Sequence, residues 1–517
     1  MSAILASTAL ERTVKLARLV GIVLFFSSIS IAQQSQPDTA KLQGIDSFAN
    51  QLLTEWKVPG LGIGIVHDGT VVLEKGYGYR DLEQKLPFTA RTLFPVGSTS
   101  KSFTALALAI LKDQKKLDWD DRVRQYLPSY ELADPVASER MTIRDLLLHR
   151  SGLARNDMLW YSSDFTRKQI FDRLKYLEMG KGFRNRFDYN NLGYMTAGYL
   201  AGEVAGSNWE QLVRTSILDP LQMTSTNFSD ADSAKSPDYA LPYDEVDGKV
   251  ERIPFASTAA IGPAGSVHSS IDEMMHYAEM LLSGGKYNGK QIVSEANLKT
   301  IQSPQIVMGA PSPYPELSDP VYGMGWVIQT YRGHHYIWHN GGIDGFYTLL
   351  ALLPDDHLGV VVFTNRLDRT AAEVLARNVF DRMLGMPPVD WDSRFRETAA
   401  KVTEAENAER KKIADERKPG TQPSHPLKDY TGTYTHPAYG TVTVSIEGDH
   451  LRIALNRLSA PLEHFNYDVF IVPHPQRTLG DLMVRFQTAT SGEIDSVALP
   501  LEEDIHDIVF KRAKPAK

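Results

Sequence analysis

Apolar and polar residues recur along this chain with two periods, and the switches between them divide it into parts. Over Thr39–Lys57 (TAKLQGIDSFANQLLTEWK) the apolar positions return at helical spacing and Pro59 stops the run, which predicts an amphipathic helix. The next stretch, Gly60–Val66 (GLGIGIV), runs on into HDGTVVLEKGYGY. That reads as strand, Asp68-Gly69 turn and strand: a β-hairpin, not a phosphate loop. Helical character returns at Phe103 (FTALALAILK) and continues through a long helix-and-loop region to about residue 285. The last helix of that region has a start and a stop: Ser270 and Glu273 fit a capping box, and Gly284-Gly285 end it.

Strand character resumes from Tyr322 to Asn365, where three or four apolar runs are separated by turn residues such as Asp355-Asp356. The segment RTAAEVLARNVFDRMLG predicts a closing helix. The hairpin and the late strands are therefore expected to form one antiparallel sheet flanked by the first and last helices. The helical middle becomes a subdomain on one side, giving an α/β (α+β) domain over residues 40–385. Residues 386–423 are charged with a thin apolar stripe and predict a solvated helical linker. Residues 424–512 alternate apolar and polar, with Glu447-Gly448-Asp449 as a hairpin turn, and predict a separate small all-β, barrel-like domain.

Composition narrows the function. A net charge of −8 over 517 residues, with no basic run, gives no reason to expect a nucleic-acid partner. At the N-terminus Arg12, Lys15 and Arg18 precede LVGIVLFFSSISIA, a short apolar run with a small-residue end before Gln33. This predicts a cleavable signal peptide over residues 1–32 and a periplasmic or secreted product, with no membrane span after cleavage. The chain has no cysteine, so it holds no disulfide and is neither a thiol enzyme nor a thiolate-zinc protein. No His-Glu-x-x-His, P-loop or dinucleotide fingerprint is present.

Three short motifs carry candidate chemistry. Ser98-Thr99-Ser100-Lys101 opens the Phe103 helix; at that spacing a lysine shares the helix face of a serine and can take part in removing its proton. A second Ser-x-x-Lys, Ser283–Lys286, falls in a glycine-rich turn where no helix aligns the pair. Tyr189-Asn190-Asn191 is the only Tyr-x-Asn. A tyrosine near a lysine ammonium can ionise below its usual pKa of about 10 and act as a base. His339-Asn340-Gly341-Gly342 lies on an apolar strand whose glycines leave room for a substrate backbone. The other His-x-Gly matches, at His67 and His357, sit at hairpin turns.

Ser-x-x-Lys, Tyr-x-Asn and His-x-Gly in this order resemble the penicillin-recognising serine hydrolases. Within them the chain is similar to the class C β-lactamase-like group of D,D-carboxypeptidases, D-aminopeptidases and esterases. The segments LFPVGSTSKSFTALAL, IRDLLLHRSGL, FDYNNLGYMTAGYL, GPAGSVHSSIDEM, YGMGWV and HNGGIDGFYTLLALLPDDHLGVVVFTN carry the likeness over roughly residues 40–385. The tail resembles the lipocalin-like domain of some serine peptidases in that group. The resemblance implies a catalytic set of Ser98, Lys101, Tyr189 and His339, with Ser98 as the acylated nucleophile and Lys101 and Tyr189 moving its proton. It further implies an oxyanion site from the backbone N–H groups of Ser98 and Gly342 beside Gly341, and Asn191 bonded to Lys101 or the substrate. No cofactor or metal is required. His339 replaces the lysine of the Lys-Thr-Gly version of the strand motif, which favours small-molecule or peptide substrates with amide or ester bonds over β-lactams. The alternatives are a class C type β-lactamase and an inactive peptide- or muropeptide-binding relative. The oligomeric state, a homo-oligomer included, is left open.

Overall fold

A computed structural model describes residues 38–246, 248–474 and 478–514. The expected signal segment, residues 1–32, lies outside the described residues. Nine antiparallel strands make the main sheet: β1 (Gly60–His67), β2 (Thr70–Asp81), β3 (Leu86–Pro87), β4 (Ile306–Val307), β5 (Val321–Tyr322), β6 (Val327–Tyr331), β7 (His334–Ile343), β8 (Phe346–Leu353) and β9 (Leu358–Thr364). Their spatial order is β4-β5-β6-β7-β8-β9-β1-β2-β3. The N-terminal hairpin thus pairs with the late strands through β1 and β9, with Ile63 opposite Val362. The β1–β2 turn is Asp68-Gly69, both at positive φ as a tight hairpin turn needs.

The six helices that matter here are α1 (Ile45–Glu55), α2 (Ser100–Asp113), α3 (Asn191–Ala205), α4 (Ile271–Leu282), α5 (Arg369–Met383) and α6 (Trp391–Asp415). The alternation in GLGIGIV now has a physical reason, because side chains on a strand point to opposite faces in turn. Leu61, Ile63 and Ile65 point to the face packed by α1 and α5, in one cluster with Ile45, Leu52, Leu375 and Val379. The glycines point to the other face, where α4 lies directly on the backbone. A Cβ on Gly62 would stand 2.9 Å from Ile271 and one on Gly64 2.6 Å from Met275.

Two local expectations change. Ser270 does cap α4 by accepting from Glu273 N, but Glu273 does not reach back to close the box. Its carboxylate instead accepts Ser225 N at 2.7 Å and Thr226 N at 2.8 Å, fastening a loop to the helix. The charged segment after residue 385 is not free of the domain either. Its helix α6 buries Trp391 and Phe395 in the α1–α5 face, with the Arg377 guanidinium 4.5 Å from the Trp391 ring.

Eight further strands close into a barrel: β10 (Gly432–His436), β11 (Gly440–Glu447), β12 (His450–Leu455), β13 (Leu458–Asn466), β14 (Val469–Ile471), β15 (Met483–Thr488), β16 (Ile494–Leu499) and β17 (Ile508–Arg512). Val442, Val444, Leu451, Ile453, Leu462, Val497 and Phe510 point inward and are buried. Tyr430, Phe470 and Phe486 pack against one another with ring centroids 4.9–5.6 Å apart. This barrel is filled by side chains, as small barrels commonly are.

Candidate active site

Ser98 sits in a 3-10 turn, Gly97–Thr99, that leads directly into α2. It therefore precedes the α-helix by two residues, and Lys101 is in the helix's first turn. The turn is held under β7 by close backbone approach. A Cβ on Gly341 would come within 1.9 Å of Val96 O, and one on Gly97 within 3.1 Å of Gly342 N. Only glycine at these positions lets the strand pass over the Ser98 turn.

Lys101 is fully buried, and its Nζ has three neighbours: Ser98 Oγ at 2.9 Å, Asn191 Oδ1 at 2.8 Å and Ala264 O at 2.9 Å. Burial, reinforced by the Arg155 guanidinium and opposed by Asp157, holds its pKa well below the usual lysine value. A neutral amine has two N–H donors and one lone pair. In that form its donors satisfy Asn191 and Ala264, and the lone pair is left for the Ser98 hydroxyl proton.

The Tyr189 hydroxyl donates to Ser98 Oγ at 2.8 Å. The expectation that this tyrosine ionises easily is reversed. Burial pushes its pKa above the ordinary value, and the hydrogen bond to Ser98 and the nearby Arg155 offset this only in part. The amine of Lys101 is thus the group equipped to accept a proton, and Tyr189 is a proton donor. Its position comes from the His149–Leu153 segment, which Asn190 joins to the start of α3. Asn190 N donates to His149 Nδ1 at 3.2 Å, its side-chain nitrogen donates to Leu153 O at 3.3 Å, and its Oδ1 caps α3 at Gly193 N.

His339 lies on β7 opposite Leu350 and is buried, without lining the cavity at Ser98. Its Nδ1 lies 2.6 Å from Asn340 O and its Nε2 3.1 Å from the Tyr322 hydroxyl. Burial, with the nearby Lys101 a smaller cause, lowers its pKa to about 3, so it is neutral across the physiological range. Its Nδ1–H donates to the carbonyl and its Nε2 accepts from the phenol. This places it behind the site as a support for β7.

A cavity of about 510 Å³ opens onto Ser98, Asn191 and Gly342. Met158, Trp160, Ile261, Ile343 and Leu367 give it apolar walls. Its charged lining is one guanidinium, Arg155, against the carboxylates of Asp157, Asp244 and Asp344. Asp157 is a site residue that sequence spacing does not reveal. It accepts from Asn191 Nδ2 at 3.0 Å, from Trp160 Nε1 at 2.8 Å and from Arg155 Nε. Nothing in the run Ala154-Arg155-Asn156-Asp157 marks it, because the partner that ties it to the site, Asn191, is 34 residues away in the chain. Among the described residues no group of three His, Asp or Glu side chains is placed to hold a metal ion. No described helix is long and apolar enough to cross a membrane.

A buried lysine and a tyrosine converging on a serine beneath an antiparallel strand define a member of the penicillin-recognising serine superfamily. The chain belongs to the Beta-lactamase family, whose model matches residues 45–383. A second model, a domain of unknown function (DUF3471), matches residues 416–512. The chain is 30% identical over 421 residues to Unguisins hydrolase ungD' of Aspergillus campestris, covering 78% of this chain and 77% of that protein. It is 27% identical over 332 residues to Protein flp of Staphylococcus aureus, covering 62% of this chain and 63% of the relative. In fold it is similar to the octameric penicillin-binding protein homologue from Pyrococcus abyssi, with a TM-score of 0.59 and 24% identity, over 92% of this chain and 100% of that one.

Proposed function

We propose that the chain is an exported serine hydrolase that cleaves peptide, amide or ester bonds through an acyl-enzyme on Ser98. The observation that carries this reading is the position of Ser98 Oγ, 2.9 Å from a buried amine and 2.8 Å from a phenol, at the floor of the cavity. In the forward step Lys101 takes the hydroxyl proton as Oγ attacks the carbonyl carbon. The negative charge that develops on the carbonyl oxygen meets the backbone N–H groups of Ser98 and Gly342. Tyr189 gives its proton to the departing nitrogen or oxygen and is reprotonated by the Lys101 ammonium, which returns the amine to its neutral form. Water then attacks the ester, Lys101 accepts its proton, and Ser98 leaves with a proton restored.

Three features favour neutral or cationic substrates over penicillins. His339 supplies no cation, Arg155 is already paired with Asp157, and Asp244 and Asp344 add negative charge to the lining. The relative named as an unguisins hydrolase supports a hydrolytic role. Export rests on the N-terminal segment, residues 1–32. Turnover of D-amino-acid peptides, p-nitrophenyl esters and nitrocefin, by the wild type and by Ser98→Ala, tests the reading. Peptide or ester cleavage that needs Ser98 and exceeds nitrocefin cleavage supports it. Nitrocefin turnover above every peptide and ester tried assigns a β-lactamase instead.

A further inference from the structure

The barrel reaches the active-site cavity in two ways: Thr478 lines it directly, and three barrel segments hold the loop that forms one wall. Residues 155–161 supply five of the cavity's lining side chains, among them Arg155, Asp157 and Trp160. Three barrel segments meet this loop. Tyr439, at the β10–β11 turn, donates its hydroxyl to Asn156 Oδ1 at 2.6 Å, and both residues are buried. Asn456, at the β12–β13 turn, donates from its side chain to Met158 O at 2.8 Å and Tyr161 O at 3.0 Å. Glu502, between β16 and β17, faces the backbone N–H groups of Asn156 and Asp157.

Asn156 needs such support. It holds a left-handed conformation, with φ 51°, that a non-glycine residue adopts at a cost, and its side-chain nitrogen is bound to Ala154 O at 2.6 Å. The next residue, Asp157, fixes the amide of Asn191, and Asn191 Oδ1 binds Lys101. A continuous path therefore runs from a barrel hydroxyl through Asn156, Asp157 and Asn191 to the amine beside Ser98.

We propose that Tyr439 and Glu502 are positioning residues for the Ser98–Lys101 pair, so that the barrel is part of the catalytic apparatus and not an appended module. The inference rests on the hydrolase reading above. Losing either contact frees the loop to relax from its strained turn. The Asn191 amide then loses the anchor that points its oxygen at Lys101, while the cavity walls that bind substrate stay largely in place. The expected signature is a fall in kcat with little change in KM.

Glu502 adds a signature that simple loss of stability does not produce. Burial raises its carboxyl pKa to about 7, with the N–H of Asn156 and the Arg155 guanidinium lowering it and Asp157 raising it. The charged groups facing it are Arg155 and Asp157, with the neutral phenol of Tyr439 alongside; Asp504, two residues on, is engaged by Lys181 and Arg186. As a carboxylate it holds the loop's N–H groups most strongly, and protonation weakens that hold as pH falls through about 7.

The test uses the full chain. Steady-state kinetics on a p-nitrophenyl ester are measured from pH 5 to 9 for the wild type, Tyr439→Phe, Glu502→Gln and Val497→Ala, with melting curves to confirm folding. Tyr439→Phe should lower kcat about tenfold, on the scale of one lost buried hydrogen bond, with KM within about twofold. Glu502→Gln should remove the limb near pH 7 from the wild-type kcat profile. Val497→Ala, a barrel-core change that removes no hydrogen bond to the loop, should leave kcat unchanged while lowering the melting temperature. Wild-type kcat and an unchanged pH profile in both Tyr439→Phe and Glu502→Gln overturn the proposal. Equal kcat losses in all three variants also overturn it, because barrel stability alone would then explain them. Failure of the wild type to react at Ser98 overturns instead the hydrolase reading.

Discussion

Asp157 holds the side-chain amide of Asn191 by its nitrogen, at 3.0 Å, and so turns the amide oxygen toward Lys101, 2.8 Å away. An amide rotated by half a turn would present N–H groups to an amine whose two hydrogens need acceptors. The carboxylate at 157 therefore selects the orientation in which Lys101 keeps its lone pair for Ser98.

Asp157→Asn tests that selection with a change of almost no volume. An amide oxygen in the Oδ1 position still accepts from Asn191 and Trp160, but without the negative charge, and the bond from Arg155 to the other oxygen is lost. Turnover of a p-nitrophenyl ester should fall about 10- to 100-fold, the range set by a hydrogen bond to a charged group. Wild-type kcat in this variant would mean that the Asn191 orientation is held by other contacts.

Lys101 and Tyr189 should differ in which step they support. Burial holds the amine below its usual pKa and the phenol above its own, which in the proposed mechanism makes Lys101 the base and Tyr189 the acid. Lys101→Met should abolish acylation. Tyr189→Phe should slow turnover about 10²- to 10⁴-fold, and less for an ester whose leaving group departs without protonation than for an anilide. Equal losses on the two substrates would contradict the acid role. Protonation of Lys101 should lower activity further on acidification, a fall that persists in Glu502→Gln after the limb near pH 7 is removed.

Gly341→Ala should destroy the site. Its Cβ would stand 1.9 Å from Val96 O, a contact with backbone that no side-chain movement relieves. Either β7 shifts away from the Ser98 turn and takes the Gly342 N–H with it, or the sheet is destabilised. The loss of one oxyanion donor lowers kcat about 10²- to 10³-fold. Esterase assays beside a melting curve separate the two outcomes, and an active, fully stable variant would contradict the close approach.

Acid should unfold this protein through its histidines. Burial lowers the pKa of His149 well below 6.5, that of His268 to about 4 and that of His339 to about 3. In the unfolded chain each titrates near 6.5, so below that pH the unfolded state binds more protons. The stability these groups contribute is present above about pH 6.5 and is lost as pH falls toward their folded values. The melting temperature should drop steadily from pH 6.5 to 4, and His339→Gln should make that slope shallower. A melting temperature constant from pH 7 to 4 would contradict the burial of these rings.

Much of the fold was legible because it depends on local pattern. The Asp68-Gly69 turn, the late strands and the glycine stop after α4 each follow from a few adjacent residues. GLGIGIV reads as a strand from its own residues, but its glycines are explained only by α4, more than 200 residues away in sequence. The Ser98, Lys101, Tyr189 and Asn191 cluster followed from two motifs, and the structure brings these four together. Protonation did not follow: a tyrosine beside a lysine looks like a base until burial is known, and here burial reverses the assignment. His339 was legible as a strand histidine, whereas its place behind the cavity depends on Tyr322. Glu273 fits a capping box by spacing, yet the Ser225–Thr226 loop takes its carboxylate. Asp157, Asn156 and Tyr439 had no sequence signal, since each acts through partners brought near by the tertiary fold.

Whether Ser98 is a nucleophile activated by Lys101 is decided by intact-mass analysis after treatment with a fluorophosphonate. The wild type should gain the mass of one phosphonyl group, mapped by peptide digestion to Ser98. Ser98→Ala and Lys101→Met should remain unlabelled while melting as cooperatively as the wild type. Full labelling of folded Ser98→Ala, or a wild type that stays unmodified, would contradict the account.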